Sequence, residues 1–121
     1  METKINSYRD LIVWKKAMLL ASEVYKFTSK LPAEEKFGLT SQMRRSAVSI
    51  ASNIAEGCYR SSRKDYRNFI LIAFGSGAEL ETQIEITNNL GLVSEKELLN
   101  SKALLNEIMP MLNKLAEKLN S

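Results

Sequence analysis

Histidine is absent from the 121 residues, and cysteine occurs once, as Cys58. The first absence removes His-based acid–base chemistry, Ser-His and Cys-His nucleophile pairs, His-ligated zinc or haem, and the Glu-x-x-His sites of di-iron helix bundles. The second excludes an intrachain disulfide and any Cys-cluster metal or iron–sulfur site. Long apolar runs are missing too. The longest, Phe69 to Phe74, falls far short of the ~20 residues of a membrane span. Met1-Glu2-Thr3-Lys4 leads into no apolar signal-peptide core, so the expectation is a cytoplasmic protein with no membrane partner. There is no repeat, low-complexity tract or long linker. With 45% apolar residues, two prolines and five glycines, the chain reads as one globular domain over residues 1–121, not an enzyme, with no metal and no cofactor.

The net charge of +3 hides an uneven distribution. Residues 1–67 carry 13 Lys/Arg and 7 Asp/Glu, net +6, whereas residues 68–121 carry 4 and 7, net −3. Such asymmetry points to a nucleic-acid or acidic partner on the basic side. It equally suits head-to-tail association of copies, or a solvated surface of uneven charge.

Apolar residues recur with one period along the whole chain, which predicts helices throughout. In the first segment Leu11, Trp14, Met18, Ala21, Tyr25 and Thr28 form one stripe, with Val13, Ala17, Leu20, Val24, Phe27 and Leu31 beside it. Asp10 is placed to cap this helix and Pro32 to end it. The second helix follows Phe37-Gly38, with Thr40 as N-cap, the stripe Leu39, Met43, Ala47, Ile50 and Ile54, and Gly57 as its stop. Much of its remaining surface is small, suiting close approach from more than one side. The third opens on a capping-box-like Ser62-Arg63-Lys64-Asp65, carries Tyr66, Ile70, Ala73, Gly77, Leu80, Ile84 and Thr87, and is closed by Gly91. The fourth opens on Ser94-Glu95-Lys96-Glu97 and carries Leu98, Ser101, Leu105, Ile108, Leu112, Leu115 and Leu119, with Pro110 bending it. Four such helices with short connections predict an all-α, antiparallel up-down-up-down four-helix bundle. Second apolar stripes, among them Phe69, Ile72, Ile86 and Leu90, exceed what one bundle core hides and predict a homo-oligomer.

Few constellations carry chemistry. Gly75-Ser76-Gly77 lies inside an intact heptad, not at a strand-to-helix turn where a phosphate loop needs its glycines. Glu56, Glu79, Glu81 and Glu85 offer oxygen ligands, but their spacing forces no convergence. Arg44 or Arg45, with Asn53, Glu56 and Glu79, is a candidate ion-pair network between the second and third helices. Arg60, Arg63, Lys64 and Arg67 fall within ~100° of helical arc, a basic strip at the positive end of the third helix. Tyr59 stands ready to stack on a base, and Lys15, Lys16, Arg44 and Arg45 are candidate extensions. These residues form the candidate nucleic-acid site, against the reading of a solvated or subunit-pairing face. Cys58, with no histidine near it, reads as an ordinary thiol.

Four stretches carry a resemblance: Asp10-Leu-Ile-Val-Trp-Lys-Lys-Ala17, Phe37-Gly-Leu-Thr-Ser-Gln-Met-Arg-Arg-Ser-Ala-Val-Ser-Ile50, Ser52-Asn-Ile-Ala-Glu-Gly57 and Gly75-Ser-Gly-Ala-Glu-Leu-Glu81. They resemble the four-helix-bundle 23S rRNA intervening-sequence proteins, some of which are described as a ribosomal protein, along nearly the whole chain. The resemblance implies a bundle assembling as a homopentamer, without established enzymatic activity, and a connection to RNA. A more distant likeness is to the accessory variability protein of diversity-generating retroelements, a pentameric bundle that binds nucleic acid and a reverse transcriptase. Ala51 stands where the family often has Pro, and Cys58-Tyr59 where it often has a small residue and Gly. Arg44, Arg45, Asn53, Glu56, Glu79 and Glu81 match the family's polar positions, which we read as structural. Two functions follow as expectations: an oligomer that binds RNA or DNA electrostatically, or a scaffold for a protein partner that uses the second helix's small face and exposed Val13, Leu20 or Ile72.

Overall fold

A computed structural model describes residues 7–120. Four helices follow one another: α1 (Ile12–Thr28), α2 (Leu39–Cys58), α3 (Arg63–Asn89) and α4 (Glu95–Lys118). Short 3-10 turns precede α1 (Tyr8–Asp10) and α2 (Ala33–Glu35), and no strand occurs among the described residues. Each helix packs on two neighbours, α1 on α2, α2 on α3, α3 on α4 and α4 on α1. Contacts across the helices run in opposite directions. Lys30 at the end of α1 pairs with Glu97 at the start of α4 (2.9 Å), while Lys16 near the start of α1 pairs with Glu107. The result is the antiparallel up-down-up-down bundle that the periodicity predicts.

The core follows the stripes in α2 and α3 closely: Met43, Ala47, Ile50 and Ile54 face Ile70, Ala73, Leu80 and Ile84, all buried. In α1 the ranking of the two stripes is reversed. Val13, Ala17, Leu20, Val24 and Phe27 are the core, whereas Met18 and Tyr25 stay exposed and Trp14 half-buried. A chain-wide apolar period shows that α1 has two greasy flanks; only tertiary packing selects one. Val13 and Leu20 are therefore unavailable as a docking surface. In α4, Ala116 is buried while Leu115 is half-buried, and Pro110 stays within the helix.

Helix ends obey local chemistry, with exceptions. Ser62 Oγ accepts from Asp65 N (3.1 Å) and Ser94 Oγ from Glu97 N (3.4 Å), capping α3 and α4 as expected. Gly91 takes a left-handed φ of 64°, and Leu92 N reaches back to Thr87 O (3.3 Å), a Schellman closure of α3. Asp10 does not cap α1: it lies in the preceding turn, and Leu11 holds the cap position. Thr40 is not a cap either but a buried residue of the first turn of α2, where Glu35 Oε1 accepts from Leu39 N (3.3 Å) instead. Nor is α1 ended by Pro32; it stops at Thr28, whose hydroxyl donates to Val24 O (2.6 Å) and competes with the helical ladder. Gly57 does not stop α2, which runs on to Cys58; its missing side chain serves close packing on α3.

Candidate nucleic-acid interface

Alternating helix direction collects the start of α1, the end of α2, the start of α3 and the end of α4 at one end of the bundle. Residues 7–16, 56–67 and 107–118 supply nine Lys/Arg against five Asp/Glu there. Seven of these cations come from the basic half of the sequence and two, Lys114 and Lys118, from the end of α4.

Arg60 lies outside α3, so it does not continue a strip along that helix. Its Nη2 donates to Glu56 Oε1 (2.8 Å), and its guanidinium sits over the Phe69 ring, 4.6 Å from the centroid. Arg63 and Arg67 turn the other way, toward α4. Arg63 Nη2 donates to Lys118 O, and Arg67 Nε to Ala116 O (3.2 Å). Both guanidinium groups satisfy carbonyls that the end of α4 leaves without helical partners, at the negative pole of its dipole. Lys64 is exposed and, with Arg67, Asn68, Leu119 and Asn120, lines a groove of about 310 Å³. The four predicted cations therefore occupy one end of the bundle but two flanks of α3. Arg63 and Arg67 are held by protein carbonyls and Arg60 by the Glu56 carboxylate, while Lys64 faces solvent.

Tyr59 is 71% exposed. It meets Tyr8 edge-on, with centroids 5.8 Å apart and planes at 79°. Tyr8 in turn stacks on Trp14 (5.0 Å, 23°), and the Arg9 guanidinium lies over both rings, at 5.3 and 6.0 Å. Sequence reading placed Tyr59 in the site but missed Tyr8, Arg9 and Trp14. Trp14 falls in one of the two apolar stripes of α1, and nothing local announces that residues 8 and 59 meet; the antiparallel return of α2 brings them together. Of the suggested extensions, Lys15 belongs to this end and Lys16 pairs with Glu107. Arg44 and Arg45 stand near the far end of α2, ~24 Å away along the axis.

The expected charged network between α2 and α3 is not formed within the chain. Arg44 reaches α1: Nε donates to Thr28 Oγ1 (2.9 Å), Nη2 to Tyr25 O (3.3 Å), and the guanidinium lies 4.4 Å from the Tyr25 centroid. Arg45 is exposed, beside Arg44, Lys36 and the 89%-exposed Phe37 in a groove of about 460 Å³. Asn53 bonds within its own helix, its Nδ2 donating to Ser49 O (2.8 Å) and Ser49 Oγ (3.0 Å). Glu56 pairs with Arg60, while Glu79 and Glu81 are exposed, Glu81 beside Lys102 and Asn106. The polar groups buried in the seam are uncharged. Ser46 Oγ bonds Gln83 Oε1 (3.0 Å) and Ser49 Oγ bonds Ser76 Oγ (2.8 Å), so neutral hydrogen bonds join α2 to α3. At the basic end of that seam the Tyr66 hydroxyl lies 3.5 Å from Cys58 Sγ. Burial, then the thiol, pushes the phenol well above the usual tyrosine range. Among the described residues no group of three or more Cys, Asp or Glu side chains is placed to hold a metal ion. No helix among them is long and apolar enough to cross a membrane.

Residues 9–114 match the sequence profile of the 23S rRNA-intervening sequence proteins. The chain belongs to this family. Its fold is similar to the crystal structure of a protein of unknown function from the S23 ribosomal protein family of Bacteroides thetaiotaomicron. The two share 25% identity, with 87% of this chain and 98% of that one covered and a TM-score of 0.78. No curated protein matches the chain. As an intervening-sequence protein, the chain has the bundle intact, including the Phe37–Ile50 and Ser52–Gly57 stretches, which lie along the turn into α2 and α2 itself.

Proposed function

We propose that this intervening-sequence protein is a non-catalytic homo-oligomer that associates with RNA through its basic end. The observation that carries the reading is the excess of nine cations over five carboxylates at the end where Tyr59 stands exposed. Phosphate contact by Lys and Arg releases counterions, so affinity falls steeply as salt rises. Oligomerisation is supported by the outer faces: Leu71, Ile72 and Ile86 on α3, Leu90 at its C-terminal cap and Val48 on α2 are all more than 40% exposed. A five-fold ring is the assembly that the family resemblance suggests. Apolar surface of that extent marks an interface.

A structured RNA titrated at two salt concentrations tests the reading. Arg60→Ala/Lys64→Ala is the suitable variant, because Arg63 and Arg67 also hold α4 and their loss disturbs the fold. Wild type should bind more tightly at low salt, and the variant about tenfold more weakly with a shallower salt slope. Equal weak binding by both proteins overturns it. The same apolar face of α3 favours a second reading, a scaffold for a different protein. Light scattering separates the two: a monomer at micromolar concentration leaves that face free for a partner.

A further inference from the structure

We propose that Tyr59, Tyr8 and Trp14 form a stacking platform for unpaired bases, so that the basic end takes single-stranded nucleic acid in preference to duplex. The proposal rests on the nucleic-acid reading above and narrows its substrate. Three rings from two distant parts of the chain gather at this end. The outermost, Tyr59, is 71% exposed, whereas a ring placed only to fill space would be covered. Half-buried Tyr8 meets it edge-on and is itself stacked on half-buried Trp14. Arg9 lies on the Tyr8 and Trp14 faces, and Arg60 on Phe69. Guanidinium planes so placed accept a base as a ring does, while offering charge to the neighbouring phosphate.

The placement of the cations decides between single strand and duplex. Arg63 and Arg67 keep their charge but are tied to the α4 carbonyls, and Arg60 is paired with Glu56, so these side chains are not free to line up along the phosphate row of a duplex backbone. Stacking supplies what electrostatics lacks, at roughly tenfold or more in affinity per base. A duplex hides its base faces except at its ends, whereas a single strand presents them.

Trp14 is the chain's single tryptophan, so its fluorescence reports on this cluster alone. The full chain would be titrated with a short oligouridylate and, separately, with a blunt two-stranded RNA duplex of equal charge. Fluorescein anisotropy would follow binding, and Trp14 emission the cluster. The expected result is at least tenfold tighter binding of the single strand with a change in Trp14 emission. Tyr59→Leu should lose about tenfold for oligouridylate and little for the duplex, with an unchanged melting temperature; Tyr59→Phe should retain binding. Equal affinity for both RNAs with Trp14 emission unchanged overturns the platform and leaves the basic-end reading standing. Binding of neither overturns both. If Tyr59→Leu lowers the melting temperature, wild-type Trp14 emission and the ratio of the two affinities still decide.

Discussion

Gly57 of α2 lies so close to Phe69 of α3 that a Cβ at position 57 would stand 2.9 Å from the Phe69 Cβ. The same atom would be 3.0 Å from Tyr66 Cδ1 and 3.3 Å from the Tyr66 carbonyl oxygen. Two of these neighbours are a backbone atom and a Cβ, which cannot swing aside. The closeness of α2 and α3 at the basic end therefore depends on a missing side chain, and it also sets the turn that presents Tyr59 and Arg60.

Gly57→Ala should destabilise the protein despite alanine's better helix propensity. Overpacking costs about 1–3 kcal/mol and the propensity gain is at most about 1 kcal/mol, so packing wins by about 1 kcal/mol. Gly75 is the internal contrast, since a Cβ there meets nothing within 4 Å. Gly75→Ala should stabilise by up to about 1 kcal/mol. Urea denaturation of both variants checks the pair, and shifts of the same sign would contradict it.

The two glycines also show where sequence reading succeeds and where it stops. Helical periodicity marks Gly75 and Gly77 as mid-helix residues and correctly rejects a phosphate loop. It cannot separate a glycine that stops a helix from one that lets a neighbour approach, because that depends on the facing helix. The same limit explains α1, whose two stripes are alike in composition, and the polar positions. Glu79 and Asn53 suggest a charged network by residue type, yet hydroxyl pairs such as Ser49–Ser76 join the helices because they are small enough to fit. Caps at Ser62 and Ser94 were legible because capping is local. The Tyr8–Tyr59 contact was not, being a product of topology.

Ser46 and Gln83 make a buried hydrogen bond across the α2–α3 seam (3.0 Å). Ser46→Ala strands the Gln83 amide oxygen in the interior and should cost about 1–3 kcal/mol. Adding Gln83→Leu removes the orphaned acceptor and should recover most of that loss. A double-mutant cycle by chemical denaturation measures the coupling, and strict additivity would mean that the bond contributes nothing.

Ser101 on α4 presents the opposite case. It is 1% exposed, and its hydroxyl has no hydrogen-bond partner. An unpaired buried hydroxyl costs free energy that alanine avoids, and alanine also favours the helix. Ser101→Ala should raise stability by about 1 kcal/mol, read as an upward shift in melting temperature. A lower value would show that the hydroxyl is satisfied in solution.

Tyr66 sets the alkaline limit. Its phenol is half-buried against Cys58, and burial holds its proton more tightly than the value of 10.0 expected for the unfolded chain. Below about pH 10 both states are protonated and this contribution to stability is fully present. As pH rises past that point the unfolded chain ionises while the folded one does not, so the unfolded state gains and stability falls. The slope reaches at most ~1.4 kcal/mol per pH unit. Tyr66→Phe has nothing to ionise and loses only a weak contact to a thiol. Its stability at neutral pH should be close to wild type, and the two curves should diverge above about pH 10, wild type falling faster. Contributions common to the two proteins cancel in the difference. Chemical denaturation across that range measures it, and parallel curves would show that the Tyr66 phenol ionises as freely in the bundle as in water.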